Sequence, residues 1–265
     1  MSARSLFAVF LVVALAGCEN ALATSGQKTG FIEVRTYSNG SGGFALAPVG
    51  AFYGQSNLVF NPPVAGLCAV ARYSPVPPGG ASGLRTLDAG PRLLTLLPGR
   101  EDTLHVVEQF GLRLYRTLLV AGIPVTPGDT LAVTIPGSIE FPGLTIRTRT
   151  AEVFTFVDPG APVVGEPVNL TWRSPGAPGS TMVFFLRYAN SIAPGGVPNE
   201  QIVCGFADDG SGTIDPSYLN GWQSAPLSSR AIAATRVRYN EIQVDSRTRV
   251  TIVSTFEIPT PSIIP

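Results

Sequence analysis

The heptapeptide Leu144-Thr145-Ile146-Arg147-Thr148-Arg149-Thr150 sets Leu144, Ile146 and Thr148 against Thr145, Arg147 and Arg149. Successive side chains of a strand point to opposite faces, so this alternation is that of a strand with one face buried. Val168-Asn169-Leu170-Thr171-Trp172-Arg173 repeats it, with Val168, Leu170 and Trp172 on one side, which makes Trp172 the expected core anchor. Upstream, strand-like runs stand at 31–37, 43–47, 58–61, 67–73, 84–88, 92–97, 103–110, 113–120 and 130–135. Downstream they stand at 153–157, 182–188, 202–207, 231–239, 242–245 and 249–257. Almost none has helical periodicity. Breaks such as Pro77-Pro78-Gly79-Gly80 and Thr126-Pro127-Gly128-Asp129 force changes of direction.

Ten short strands followed by seven predict an all-β chain of two antiparallel β-sandwich domains, residues 30–150 and 153–258. The second is immunoglobulin-like in size, without the paired cysteines of true immunoglobulin domains. Only Ala151 and Glu152 separate the strands on either side, so the domains are expected to touch, and 153–258 to form a sandwich of its own. One helical turn is predicted at 215–219, with Asp215 as N-cap and Pro216 at the first helical position. Residues 18–29 read as a tether and 259–265 as a Pro-rich tail.

At the start of the chain, Arg4 precedes an apolar run over 6–16, and Leu15-Ala16-Gly17-Cys18 closes it. The run is too short to span a bilayer core of roughly 30 Å as a helix. This leader resembles the bacterial lipoprotein signal, whose lipobox ends in Leu-Ala-Gly-Cys. The resemblance implies a signal peptide over 1–17, cleavage before Cys18, a diacylglyceryl group on the Cys18 sulfur and acylation of the new amine. It places the protein in the cell envelope, on a membrane through its lipid, and Glu19 in place of aspartate leans towards the outer membrane. The alternative is an ordinary secretory signal cut after Ala21-Leu22-Ala23.

Lys and Arg number 18, as do Asp and Glu, and charged residues are 14% of the chain. Binding phosphate backbones requires clustered, uncompensated cations, so nucleic acid is not expected as a partner. Gly 29 and Pro 24 suit short strands and tight loops.

Cys68 and Cys204 each lie in an apolar run, where a free thiol acts as a small hydrophobe. They are expected unpaired and buried, the alternative being the disulfide that export permits. His105, the one histidine, lies opposite Leu104 and Val106 with no nucleophile elbow nearby, as a structural or solvated residue does. Asp208, Asp209 and Asp215 surround Gly210 and are the weak metal candidates, but an EF-hand would need oxygens at Gly205 and Ala207. Asp209-Gly210 reads instead as a hairpin turn. Arg147/Arg149, Arg236/Arg238 and Arg247/Arg249 place guanidinium pairs on strand faces, suited to lipid headgroups or acidic glycans, or merely solvated. Trp222 either plugs the end of a core or stacks on a sugar or partner. With Trp222, Arg236 and Arg238 as ligand-binding candidates and no cofactor indicated, the expected function is non-catalytic binding, adhesion or assembly with an envelope protein or glycan. The alternative is an envelope hydrolase acting on glycans through a carboxylate pair that no motif reveals.

Overall fold

The computed structural model describes residues 27–40, 42–54, 64–73, 85–109, 111–160, 163–190 and 197–259. Cys18, the leader, most of the tether, the run at 58–61 and the tail beyond 259 lie outside these residues. Period-two runs form strands throughout, and the all-β class holds. In chain order these are β1 (Lys28–Ser38), β2 (Phe44–Gly54), β3 (Cys68–Arg72), β4 (Arg85–Thr86), β5 (Arg92–Leu97) and β6 (Arg100–Gln109). β7 (Leu112–Arg116), β8 (Ile123–Val125), β9 (Thr130–Ile135), β10 (Leu144–Arg149), β11 (Phe156–Val157) and β12 (Val168–Trp172) follow. The chain continues with β13 (Ser180–Tyr188), β14 (Glu200–Ala207), β15 (Ser211–Ile214), α1 (Pro216–Ser224), β16 (Ala231–Asp245) and β17 (Thr248–Pro259).

Among the described residues, fourteen strands join one sheet in the order β10-β9-β5-β6-β7-β2-β1-β17-β16-β13-β14-β3, with β4 and β8 also on β2. β11, β12 and β15 form a second, three-stranded sheet. β1 lies parallel to β17, with Ile32 beside Ile252, so the first and last strands are neighbours. β1 starts at Lys28, inside the expected tether, because that pairing captures Lys28 and Thr29.

Two cores lie on this framework. Trp172, Phe184, Phe206 and Trp222 fill one, between β13, β14 and β16 and the small sheet with α1. Ile32, Phe52, Leu93, Leu104 and Tyr115 fill the other, which β9 and β10 help to close. The expected boundary before Val153 divides these cores only in part. β17 gives Val250 and Ile252 to one and Phe256 to the other, while β3 pairs with β14 across the boundary. Two sandwich-like layers therefore share one sheet. Val183, Phe185, Val203 and Val253 cluster on the opposite face of that sheet. Burial on both sides accounts for the uninterrupted apolar run Met182-Val183-Phe184-Phe185-Leu186.

The expectation of two free thiols is overturned: Cys68 and Cys204 form a disulfide, with their Cα atoms 4.1 Å apart. The residues stand directly opposite each other on β3 and β14, a register that brings two side chains within bonding reach. The helix is also longer than one turn. Asp215 accepts from the Ser217 amide at 2.8 Å, as an N-cap should, and the helix runs on to Ser224. Gly221 interrupts its composition for a steric reason, since a Cβ there would lie 2.7 Å from the Tyr188 hydroxyl.

Candidate functional site

Arg236 and Arg238 both project from β16 on the side of the first core, and neither is a solvated cation. Arg236 is 1% exposed. Its Nε donates to Asp208 Oδ2 at 2.6 Å and its Nη2 to Oδ1 at 3.0 Å, with a further bond to the Arg173 carbonyl at 2.6 Å. Its guanidinium lies 5.0 Å from the centre of the Phe154 ring. Trp172 Nε1 and Ser180 Oγ donate to the remaining positions on Asp208 at 2.8 and 2.6 Å. Arg238 makes a bidentate pair with Glu152 at 2.8 and 2.7 Å and donates to the carbonyls of Pro178 and Ala177. The reading of both as an anion-binding pair on an open strand face is thus corrected. Alternation placed them on one face, but Asp208 and Glu152, distant in sequence, neutralise them there.

Of the two readings of Trp222 the core plug holds and the ligand-binding one is corrected: it lies fully buried in α1, beneath the Arg230 guanidinium at 5.5 Å. The three aspartates are dispersed among separate tasks. Asp208 holds Arg236, Asp209 accepts from the Ser211 amide at 3.3 Å, and Asp215 caps α1, its pKa lowered by the side chain and amide of Ser217. Among the described residues no three His, Cys, Asp or Glu side chains gather where they could hold a metal ion. Asp209-Gly210 does turn the chain, but it carries it from β14 in the large sheet to β15 in the small one instead of closing a hairpin. His105 is exposed on β6.

Arg147 and Arg149 differ from these residues. Ile146 before them is fully buried and Thr148 between them half-buried, so both arginines extend from the exposed face of β10, and neither guanidinium has an ion-pair partner among the described residues. They border an open cleft of about 310 Å³ where β10 approaches β16, with Arg238, Tyr239 and Asn240 on the other wall and the Pro178-Gly179 turn at one end. Asn240 Nδ2 donates to the Arg147 carbonyl at 2.8 Å. That bond shows that the Arg147 carbonyl faces away from β9. In an antiparallel ladder a residue's N–H and C=O point to the same side, so the Arg147 amide also faces the cleft, and Arg149, two residues on, repeats it. Thr130, opposite Arg149 on β9, adds a hydroxyl, while the Thr148 hydroxyl donates to the Arg149 carbonyl and Tyr239 lies beside Val253 on the other face of the sheet. Pairing along the sequence marks Arg147 and Arg149. Tyr239 and Asn240 carry no such signal, because only the fold sets β16 beside β10.

One acid has a strongly altered environment. Glu33 on β1 has its carboxyl pushed up to about 7, by burial first, against the lowering effect of Arg35 and with a further push from Glu257. Arg35 Nη2 lies 3.4 Å from Glu257 Oε2. Glu33 pairs across to Val253 on β17, on the sheet face opposite the two cores, and neither acid borders the cleft. Comparison with protein-family models, curated proteins and solved structures finds no match to this chain.

Proposed function

We propose that this chain is an exported, lipid-anchored protein of the bacterial cell envelope that acts as a non-catalytic binding module, making its contact through the cleft between β10 and β16. Arg147 and Arg149 carry the reading, as guanidinium groups that have no carboxylate partner among the described residues and border an open recess. Arg236 and Arg238, by contrast, are consumed in holding the fold. A rigid continuous sheet beneath the recess keeps the two cations at a fixed spacing, and preorganisation of that kind lowers the entropic cost of binding. The lining is cationic and hydroxylic, a composition suited to holding a polar ligand. Leu15-Ala16-Gly17-Cys18 supplies the anchor, with Cys18 as lipid acceptor and Glu19 favouring the outer membrane. Acylation at both the thiol and the amine makes attachment durable, since one chain alone binds only marginally.

The anchor is tested by Cys18→Ser. Cells fed a palmitate analogue should label the wild-type chain and not the variant, which should leave the membrane fraction. Label retained by the variant contradicts the lipid assignment.

A further inference from the structure

We infer that the cleft recognises a carboxylate-bearing glycan, a chain of uronate-type sugars; this rests on the binding-module reading and specifies its ligand. A planar guanidinium fork matches the two oxygens of a carboxylate, and Arg147 and Arg149 present two such forks on one strand face. Their Cα atoms stand about 6.6 Å apart along the strand, a separation on the scale of one sugar residue. A polymer with an acid on each residue can engage both. The Arg147 amide faces the same space, adding a donor for a carboxylate or hydroxyl oxygen.

The remaining lining fits the sugar itself. Thr130, opposite Arg149 on β9, offers a hydroxyl to the sugar. The recess is an open trough of about 310 Å³, at the lower limit of the roughly 300–1,000 Å³ of enclosed ligand sites, as suits a segment of a longer chain passing through. An anionic lipid surface is served differently, by a cluster of about 4–8 Lys and Arg side chains. Here two guanidinium groups, unpaired among the described residues, sit in a concavity, on a chain whose basic and acidic residues balance.

The test is an anisotropy titration of fluorescent trigalacturonate against the full chain in detergent, with neutral galactotriose as control and glycerol phosphate as competitor standing for a lipid headgroup. Wild type should bind the uronate and not the neutral sugar. Arg147→Ala and Arg149→Ala should each weaken binding about tenfold, the size expected for one charge-assisted contact, and the double variant should bind too weakly to measure. Arg149→Lys, which keeps the charge and loses the fork, should fall between wild type and alanine. Arg247→Ala, an exposed residue of the β16–β17 turn, should bind as wild type does. Equal affinity for galactotriose, equal affinity in the double variant, or displacement by glycerol phosphate at lower concentration than free galacturonate would each overturn the assignment. If uronates fail while another envelope component still binds through Arg147 and Arg149, the glycan inference falls and the binding-module reading stands.

Discussion

Asp208 and Arg236 form an ion pair in which both side chains are about 1% exposed, Asp208 where the chain leaves β14 and Arg236 in the middle of β16. Two charges in so dry a site are tolerable because each is fully bonded. Trp172 and Ser180 complete the carboxylate, and the Arg173 carbonyl takes one of the remaining guanidinium hydrogens. Removing one partner strands the other charge, so Asp208→Ala should destabilise the protein by roughly 3–5 kcal/mol in urea titration. Replacing both residues with apolar ones of similar volume should cost much less. A loss below about 1 kcal/mol in the single variant would show that water reaches the pair.

Thiol counting checks the link between β3 and β14. In denaturant without reductant, Cys68 and Cys204 should resist alkylation, and after reduction both should label. The bond joins residues separated by 136 positions, so Cys68→Ala with Cys204→Ala should cost about 2–5 kcal/mol through the entropy returned to the unfolded chain. Two reactive thiols before reduction would contradict the pairing.

The shared sheet bears on whether residues 153–258 can fold alone. In that fragment β17 would lose its parallel neighbour β1, and Val250 and Ile252 would lose the core they fill. The fragment should precipitate or melt without a transition, whereas the full chain should unfold in one cooperative step. A soluble fragment with a sharp transition would show that the two cores are energetically separate.

What the sequence made legible, and what it hid, follows from the reach of each signal. Period two reports which face a residue occupies, and Val168, Leu170 and Trp172 are indeed buried while Asn169 and Thr171 are exposed. It says nothing about which strand lies alongside, so the union of β1 with β17, at opposite ends of the chain, was invisible. Facing partners were hidden for the same reason: Arg236 and Arg238 share a face as alternation requires, yet Asp208 and Glu152 decide that they are buried rather than solvated. Cysteine spacing could not reveal that Cys68 and Cys204 become neighbours. The Asp215-Pro216 start of α1 was readable because capping is local chemistry, while its extent depends on Leu219 and Trp222 packing into a core assembled from distant strands.

Glu33 should make stability fall as pH rises. Its carboxyl titrates near 7 when folded against an ordinary value near 4.5, so between these values the native state holds more proton than the unfolded chain. Stability contributed by the neutral acid is complete below about 4.5, declines as pH climbs through about 7, and is level above. For a half-buried group partly screened by solvent, the decline should be on the order of 1–2 kcal/mol. Glu33→Gln should flatten that slope and raise stability at pH 8, measured by urea midpoints at several pH values. An unchanged slope in the variant would show that Glu33 ionises in the fold as it does in water.

The most direct test of the central claim, contact through the β10–β16 cleft, is a comparison of what three immobilised full-length forms retain from detergent-solubilised envelope: wild type, Arg147→Ala with Arg149→Ala, and Arg247→Ala. Wild type and Arg247→Ala should hold a common component that high salt releases, because interactions with exposed guanidinium groups are screened. The double variant should lose that component while keeping the wild-type unfolding midpoint. Retention of the same components by all three forms would contradict the claim that Arg147 and Arg149 make the contact.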